Sequence, residues 1–159
     1  MNKQDFTTVF LVDQTPKEVF NAINNVRGWW TENLKGGTQK LNDEFVYRHK
    51  TFHYSKQKLI EVVPNKRVVW LVTDSNLTFV EDKDEWTGTK ISFEISTKNG
   101  KTKLRFTHYG MVPSMECFED CAGTGGWLRY LNGSLLPLII KGEGNPDKKE
   151  AQFDSMTFK

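Results

Sequence analysis

The side chains able to do chemistry are few, and their spacing limits what they can do. His108 closes the run Thr102–His108, in which Leu104, Phe106 and His108 alternate with Lys103, Arg105 and Thr107. A strand with that alternation turns His108 inward beside Leu104 and Phe106. Three roles are open to an inward histidine: a core group bonded to a carbonyl or hydroxyl, a polar anchor for a ligand in an apolar pocket, or a general base. No partners for a catalytic triad lie near it in sequence. His49 and His53 are four apart, which on a helix would suit two metal ligands. They fall instead at the end of one predicted strand and the start of the next, where that spacing loses its meaning. HExxH is absent, and no metal site is expected. Cys117 and Cys121 lie one turn apart on a predicted helix, a poor geometry for a disulfide, and read as ordinary packing. Gly123–Gly126 lacks the GxxxxGK[ST] pattern of a phosphate loop. These residues call for no cofactor.

The second resource is aromatic. Aromatic residues make up 13% of the 159, with 11 Phe and 5 Trp. Such a supply fits either a bulky core or the wall of an aromatic-lined pocket. Strand parity turns Phe45 and Tyr47, Trp70, Phe93 and Phe106 inward. Trp29 and Trp30 sit in a turn, and Trp127, Tyr130 and Leu131 lie on a helix stripe facing the strands. With His108, these residues are the expected lining of any cavity.

That stripe belongs to Gly126–Lys141, the most apolar sustained run in the chain. Trp127, Tyr130, Leu131, Leu135, Leu138 and Ile139 recur at helical spacing, with Leu136 and Ile140 widening the face. A helix apolar most of the way round must be wrapped. Pro137 has no N–H for the Gly133 carbonyl, which predicts a bend there, and Gly123–Gly126 predicts a break before Trp127. Upstream, strands are expected at Phe6–Asp13, Glu44–Lys50, His53–Val63, Arg67–Asp74, Thr89–Thr97 and Thr102–His108, with Leu77–Phe79 as a further short one. Asn99-Gly100 is a hairpin turn. The first strand is apolar on both faces, as for a mid-sheet position. Thr15-Pro16-Lys17-Glu18 opens a helix with a capping box, and Arg27–Trp30 is expected to turn into a second short helix. Gly142–Lys159 reads as a mobile polar tail, leaving open whether Phe153 and Phe158 dock, so the predicted division is a domain over 1–144 and a tail over 145–159. The order is α+β, since consecutive strands without intervening helices pair antiparallel.

The formal net charge is +2 with no long basic block, which argues against a nucleic-acid partner. No run is long enough for a membrane span, so no stable membrane insertion is expected. The first residues lack a signal peptide's apolar segment, and with only two cysteines a cytoplasmic location is expected.

Taken in order, several short motifs resemble one family. They are Thr15-Pro16, Val19-Phe20, Ala22-Ile23 and Gly28-Trp29-Trp30; then Val63-Pro64, Val69-Trp70 and Glu85-Trp86-Thr87-Gly88-Thr89; then Thr107-His108, Gly110, Gly126-Trp127, Ser134-Leu135, Gly142 and Gly144. Over roughly residues 6–144 the chain resembles the START-like (SRPBCC) superfamily, in the branch named for the activator of Hsp90 ATPase. The resemblance implies a helix-grip fold: about six antiparallel strands curling around a C-terminal helix, with two small helices closing one end. It also implies a cavity between sheet and helix, which in many relatives holds an apolar or aromatic small molecule. The stretch from Cys121 to Trp127 is longer than in relatives, which implies a split helix and a reshaped cavity mouth. The leading functional expectation is therefore binding of a small apolar or aromatic ligand. A second is a protein-interaction role such as a chaperone cofactor, although the chain has no room for the extra N-terminal domain of chaperone activators. A third is a cyclase- or hydrolase-like enzyme using His108, which needs a second titratable group facing it.

Overall fold

We analysed a computed structural model of the chain; residues 4–123 and 125–150 are described. One antiparallel sheet of seven strands organises them, in the order β1-β7-β6-β5-β4-β3-β2. The strands are β1 (Phe6–Val12), β2 (Leu34–Gly36), β3 (Glu44–His49), β4 (His53–Val63), β5 (Arg67–Leu77), β6 (Lys90–Lys98) and β7 (Lys101–Tyr109). The Asn99-Gly100 turn joins β6 to β7 with Asn99 and Gly100 both at positive φ, as a type I′ turn demands. Leu77 ends β5 rather than starting another strand. The seventh strand, β2, has only three residues, too few to leave an alternation in the sequence.

One expectation is corrected. β1 is an edge strand, paired only with β7, and its second apolar face stays in solvent, with Val9 and Leu11 exposed. Alternation reported its faces correctly but says nothing about its neighbours. The second short helix after β1 is a 3₁₀ turn at Val26–Gly28, which leads through Trp29 and Trp30 toward β2.

Helix α1 (Pro16–Asn24) begins as its sequence dictates. Thr15 accepts from the Glu18 amide at 3.2 Å, and Glu18 accepts from the Thr15 amide at 3.0 Å, so each covers an amide the helix cannot. Val19, Ala22 and Ile23 are buried against the sheet.

The gripped helix is built in three joined pieces: α3 (Trp127–Tyr130), a π-helical turn (Leu131–Leu135) and α4 (Leu136–Lys141). The irregularity expected near Pro137 takes the form of this π turn. Leu136 donates to the Leu131 carbonyl five residues back, and Pro137 then falls in the first turn of α4, where a missing N–H costs least. The break before Trp127 is real: α2 (Phe118–Ala122) ends at Gly123, and the helix restarts after Gly126. Trp127, Tyr130, Leu131, Leu135 and Ile139 are buried in the concave face of the sheet.

The tail expectation also needs correction. Residues 145–150 form a strap along Thr31–Asn33. Asp147 donates its amide to the Trp30 carbonyl and accepts from the Glu32 amide, Asn33 grips Lys148 and Glu150 through its side chain, and Pro146 is buried. Polar composition misled because this strap is held by backbone and amide hydrogen bonds rather than apolar area. Phe153 and Phe158 lie outside the described residues.

The strap approaches the Trp29 turn so closely that a β-carbon on Gly144 would drive into the Gly28 carbonyl oxygen, whereas one on exposed Gly133 would meet nothing. Gly144→Ala is expected to destabilise the fold by more than about 1 kcal/mol. Gly133→Ala is expected to stabilise it by about 0.5–1 kcal/mol by restricting the unfolded chain. Urea denaturation of the two variants checks both signs.

Candidate ligand-binding cleft

The inner space of the grip is divided. Its larger part is filled with aromatic rings in mutual contact. Trp70 lies parallel to Trp30 and Trp29, with centroids 5.9 and 6.4 Å apart, and meets Phe45 and Phe93 at 5.0 and 4.9 Å. Phe93 meets Phe106 at 5.2 Å, and Phe106 meets Trp127 at 4.9 Å. Parity placed these rings inward correctly. They fill the interior because rings from different strands, the Trp29 turn and the helix reach one another, with Phe93 directly opposite Phe106 in the register of β6 and β7.

The remaining space is a half-open cleft of about 240 Å³ at one end of the helix. Its walls come from Trp30, from Tyr47 and His49 on β3, from His53 at the start of β4, from the β5–β6 connection and from the start of α3. Of the residues expected to line a cavity, Trp30, Tyr47, Trp127 and Tyr130 do so. Trp29, Phe45, Trp70, Phe93, Phe106, His108 and Leu131 lie behind them in the packed core. The cleft also takes in His49, Phe52, His53, Phe79, Trp86, Asp120, Cys121, Gly125 and Gly126, which the sequence did not nominate. Phe52 and Phe79 are exposed and stand at the mouth, while Trp86 is buried at the floor. One signal for Trp86 was available: a tryptophan inside a charged loop must find cover, and here it folds back over the sheet. The glycines shape the rim. A β-carbon on Gly126 would collide with the Cys121 carbonyl, so the chain can turn into α3 this tightly only with glycine there.

His108 is fully buried and both ring nitrogens are occupied. The Trp127 indole N–H, which can only donate, gives its proton to Nδ1 at 3.0 Å. The proton of the neutral ring is therefore on Nε2, which faces the Thr89 hydroxyl at 2.8 Å, and Thr89 donates onward to the Trp86 carbonyl at 2.6 Å. The chain ends on a satisfied acceptor, which leaves the ring neither an anchor site nor a free lone pair for base catalysis. Burial, and secondarily the neighbouring His53, push its pKa down to about 3.

His53 differs. It pairs with His49 across the β3–β4 hairpin, and Tyr47 and Trp86 meet its ring edge-to-face at 4.9 and 4.4 Å. Burial, and then His49, push its pKa down to about 3. Beside the cleft, Asp147 of the strap accepts from the Tyr130 hydroxyl at 2.6 Å and from Arg129 at 3.2 Å, with His49 Nδ1 at 3.5 Å. Burial alone would raise its pKa, but the hydrogen bonds from His49, Tyr130 and Arg129 outweigh that and hold it below the usual carboxylate range. The cysteines are both buried; the Cys121 thiol beside it and then burial push Cys117 well above the usual thiol range, the reverse of an activated nucleophile.

Residues 13–135 match the family model for Activator of Hsp90 ATPase homolog 1-like protein. The chain belongs to this family. Among solved structures, the Aha1 dimer of Colwellia psychrerythraea is similar at 22% identity and TM-score 0.70, over 89% of this chain and 99% of that one. A Mesorhizobium loti protein is similar at 14% identity and TM-score 0.65, over 86% and 96%. DynU16, a protein of the dynemicin biosynthetic locus, is similar at 14% identity and TM-score 0.62, over 91% of this chain and 51% of that one. At these identities the likeness establishes the helix-grip fold. None of the curated proteins matches the chain. Among the described residues no helix is long and apolar enough to cross a membrane.

The two buried histidines fix a pH dependence. The unfolded chain takes up protons near the ordinary value of 6.5, which the folded chain refuses until about 3. Stability is therefore expected to be complete above pH 6.5 and to fall as pH drops below it, approaching about 1.4 kcal/mol per ring per pH unit. Urea midpoints between pH 7 and 5 check this; a flat profile would mean that the rings are protonated in the fold.

Proposed function

We propose that the protein binds a small apolar or aromatic molecule in the cleft between β3, β4, the β5–β6 connection and the start of the gripped helix. The observation that carries this reading is the cleft itself. It is a space of about 240 Å³ walled in part by Trp30, Tyr47, Trp86 and Trp127, beside a core packed with rings. Each wall ring is fixed by others, as Tyr47 is stacked on Trp30 at 4.3 Å and Trp86 lies parallel to Trp127 at 6.0 Å. Walls that are already ordered cost a ligand little on entry, and a flat ligand gains stacking area on more than one side. Membership of a superfamily whose grip often encloses hydrophobic ligands supports the reading, as does the presence of the same fold in a natural-product biosynthetic locus.

An enzyme built on His108 has lost its footing, since that ring is committed at both nitrogens. The chaperone-cofactor reading rests on the family's name. A pull-down with Hsp90 separates it from ligand binding.

The test uses uncharged aromatics of two fused rings, such as naphthalene and 2-naphthol. At a hundredfold excess over Kd they are expected to stabilise the fold by about 2.7 kcal/mol, visible as a rise of several degrees in Tm. Gly125 lines the cleft, is exposed, and a β-carbon there meets nothing within 4 Å. Gly125→Leu is therefore expected to fold normally and to abolish the shift. An absence of any shift across such compounds would end the binding reading.

A further inference from the structure

Two polar groups of the cleft have no hydrogen-bond partner among the described residues, the buried indole N–H of Trp86 and one ring nitrogen of His53, and only the histidine can both donate and accept according to its tautomer. His53 is 8% exposed and lines the cleft. Its Nε2 lies 3.3 Å from the Ser55 hydroxyl, which Gln57 in turn holds at 2.5 Å. Its Nδ1 has no hydrogen-bond partner among the described residues. That nitrogen is not among the sealed, unpartnered atoms of the interior, so a ligand in the cleft can reach it and form a hydrogen bond there. His108 gives the contrast: both inward histidines meet Trp86 edge to face, and only His108 has a partner on each ring nitrogen.

We propose that His53 is the polar anchor of the cleft, and that the ligand is an uncharged, flat aromatic molecule carrying a hydroxyl at one edge. This rests on the binding reading above and narrows it. The aromatic part follows from the walls of Trp30, Tyr47, Trp86 and Trp127. The hydroxyl follows from the anchor, because an O–H both donates and accepts and so serves whichever ring nitrogen carries the proton. Absence of charge follows from the lining. Among the described residues no lysine or arginine lines the cleft, and exposed Asp120 does. A carboxylate ligand would sit on a neutral imidazole with no cation to pair it, near a like charge, and burying an unpaired charge is costly. An aliphatic acid, the usual cargo of many apolar cavities, is thereby disfavoured.

Three probes of one shape test this by calorimetry: 2-naphthol, naphthalene and 2-naphthoate. The expected order has 2-naphthol about tenfold tighter than naphthalene, the fold-change one good hydrogen bond gives, and 2-naphthoate weaker than 2-naphthol by at least as much. In His53→Phe, which keeps a ring of similar size, the preference for 2-naphthol over naphthalene is expected to vanish. A second measurement needs no variant. The chain has 3 histidines, so their ring nitrogens resolve in long-range nitrogen NMR. Adding 2-naphthol should move the Nδ1 resonance of His53 and leave both nitrogens of His108 in place. Equal binding of the three probes, or an unmoved His53 resonance with 2-naphthol bound, overturns the anchor while leaving the binding reading intact. No binding of any probe overturns both.

Discussion

One hydrogen bond sets the terms for the rest of the interior: the indole N–H of Trp127 to Nδ1 of His108. It joins the first turn of the gripped helix to the end of β7, one strand in from the edge of the sheet. Because an indole only donates, it dictates the tautomer of the histidine, and so obliges Thr89 to accept on the other side. Thr89 passes its own proton to the Trp86 carbonyl and so fixes the loop that closes over the sheet. Four residues from three parts of the chain are positioned by a single donor–acceptor sequence with no spare member. In a dry interior such a chain is worth keeping whole, since any one member lost leaves a buried polar atom unpaired.

The consequence is a fold with a sealed part and an open part. Behind the Trp127–His108 bond, tryptophan and phenylalanine rings meet edge to face and face to face and leave no lining surface. In front of it, the same Trp127 and Trp86 turn their other faces to the cleft. The strap completes this open end from outside. Asp147 holds Tyr130 and Arg129, and Ser134 both donates to the Trp29 carbonyl and accepts from the Asn145 amide. Helix, turn and strap thus share polar contacts along one side of the cleft, which keeps its walls in place when it is empty.

Much of this was legible in the sequence. Alternation at Lys90–Lys98 and Lys101–Tyr109, Asn99-Gly100 between them, the capping box at Thr15 and the apolar period from Trp127 onward each carry their own local physics, and each formed as that physics requires. The order of short motifs added the way the pieces assemble. The cleft was only half legible. Periodicity says which way a side chain points, but not whether the next ring reaches it. Trp70 and Phe93 were therefore correctly inward, yet sealed by each other. His108 and His53 show the same limit: both are inward, and their difference lies in Trp127 and Thr89, which are remote in sequence from His108 and bond to its ring nitrogens. The strap was illegible because polar composition reads as solvent-facing unless its hydrogen-bond partners are known.

The central claim is that the end cleft, and not the packed grip, holds a small aromatic molecule. The most direct measurement is a crystal of the protein soaked in 6-bromo-2-naphthol, with data collected at the bromine absorption edge. The account predicts one strong anomalous peak inside the cleft between the Trp86 and Tyr47 walls, with the naphthol oxygen turned to His53. A peak buried among Trp70, Phe93 and Phe106, or none in a crystal soaked to saturation, would contradict it.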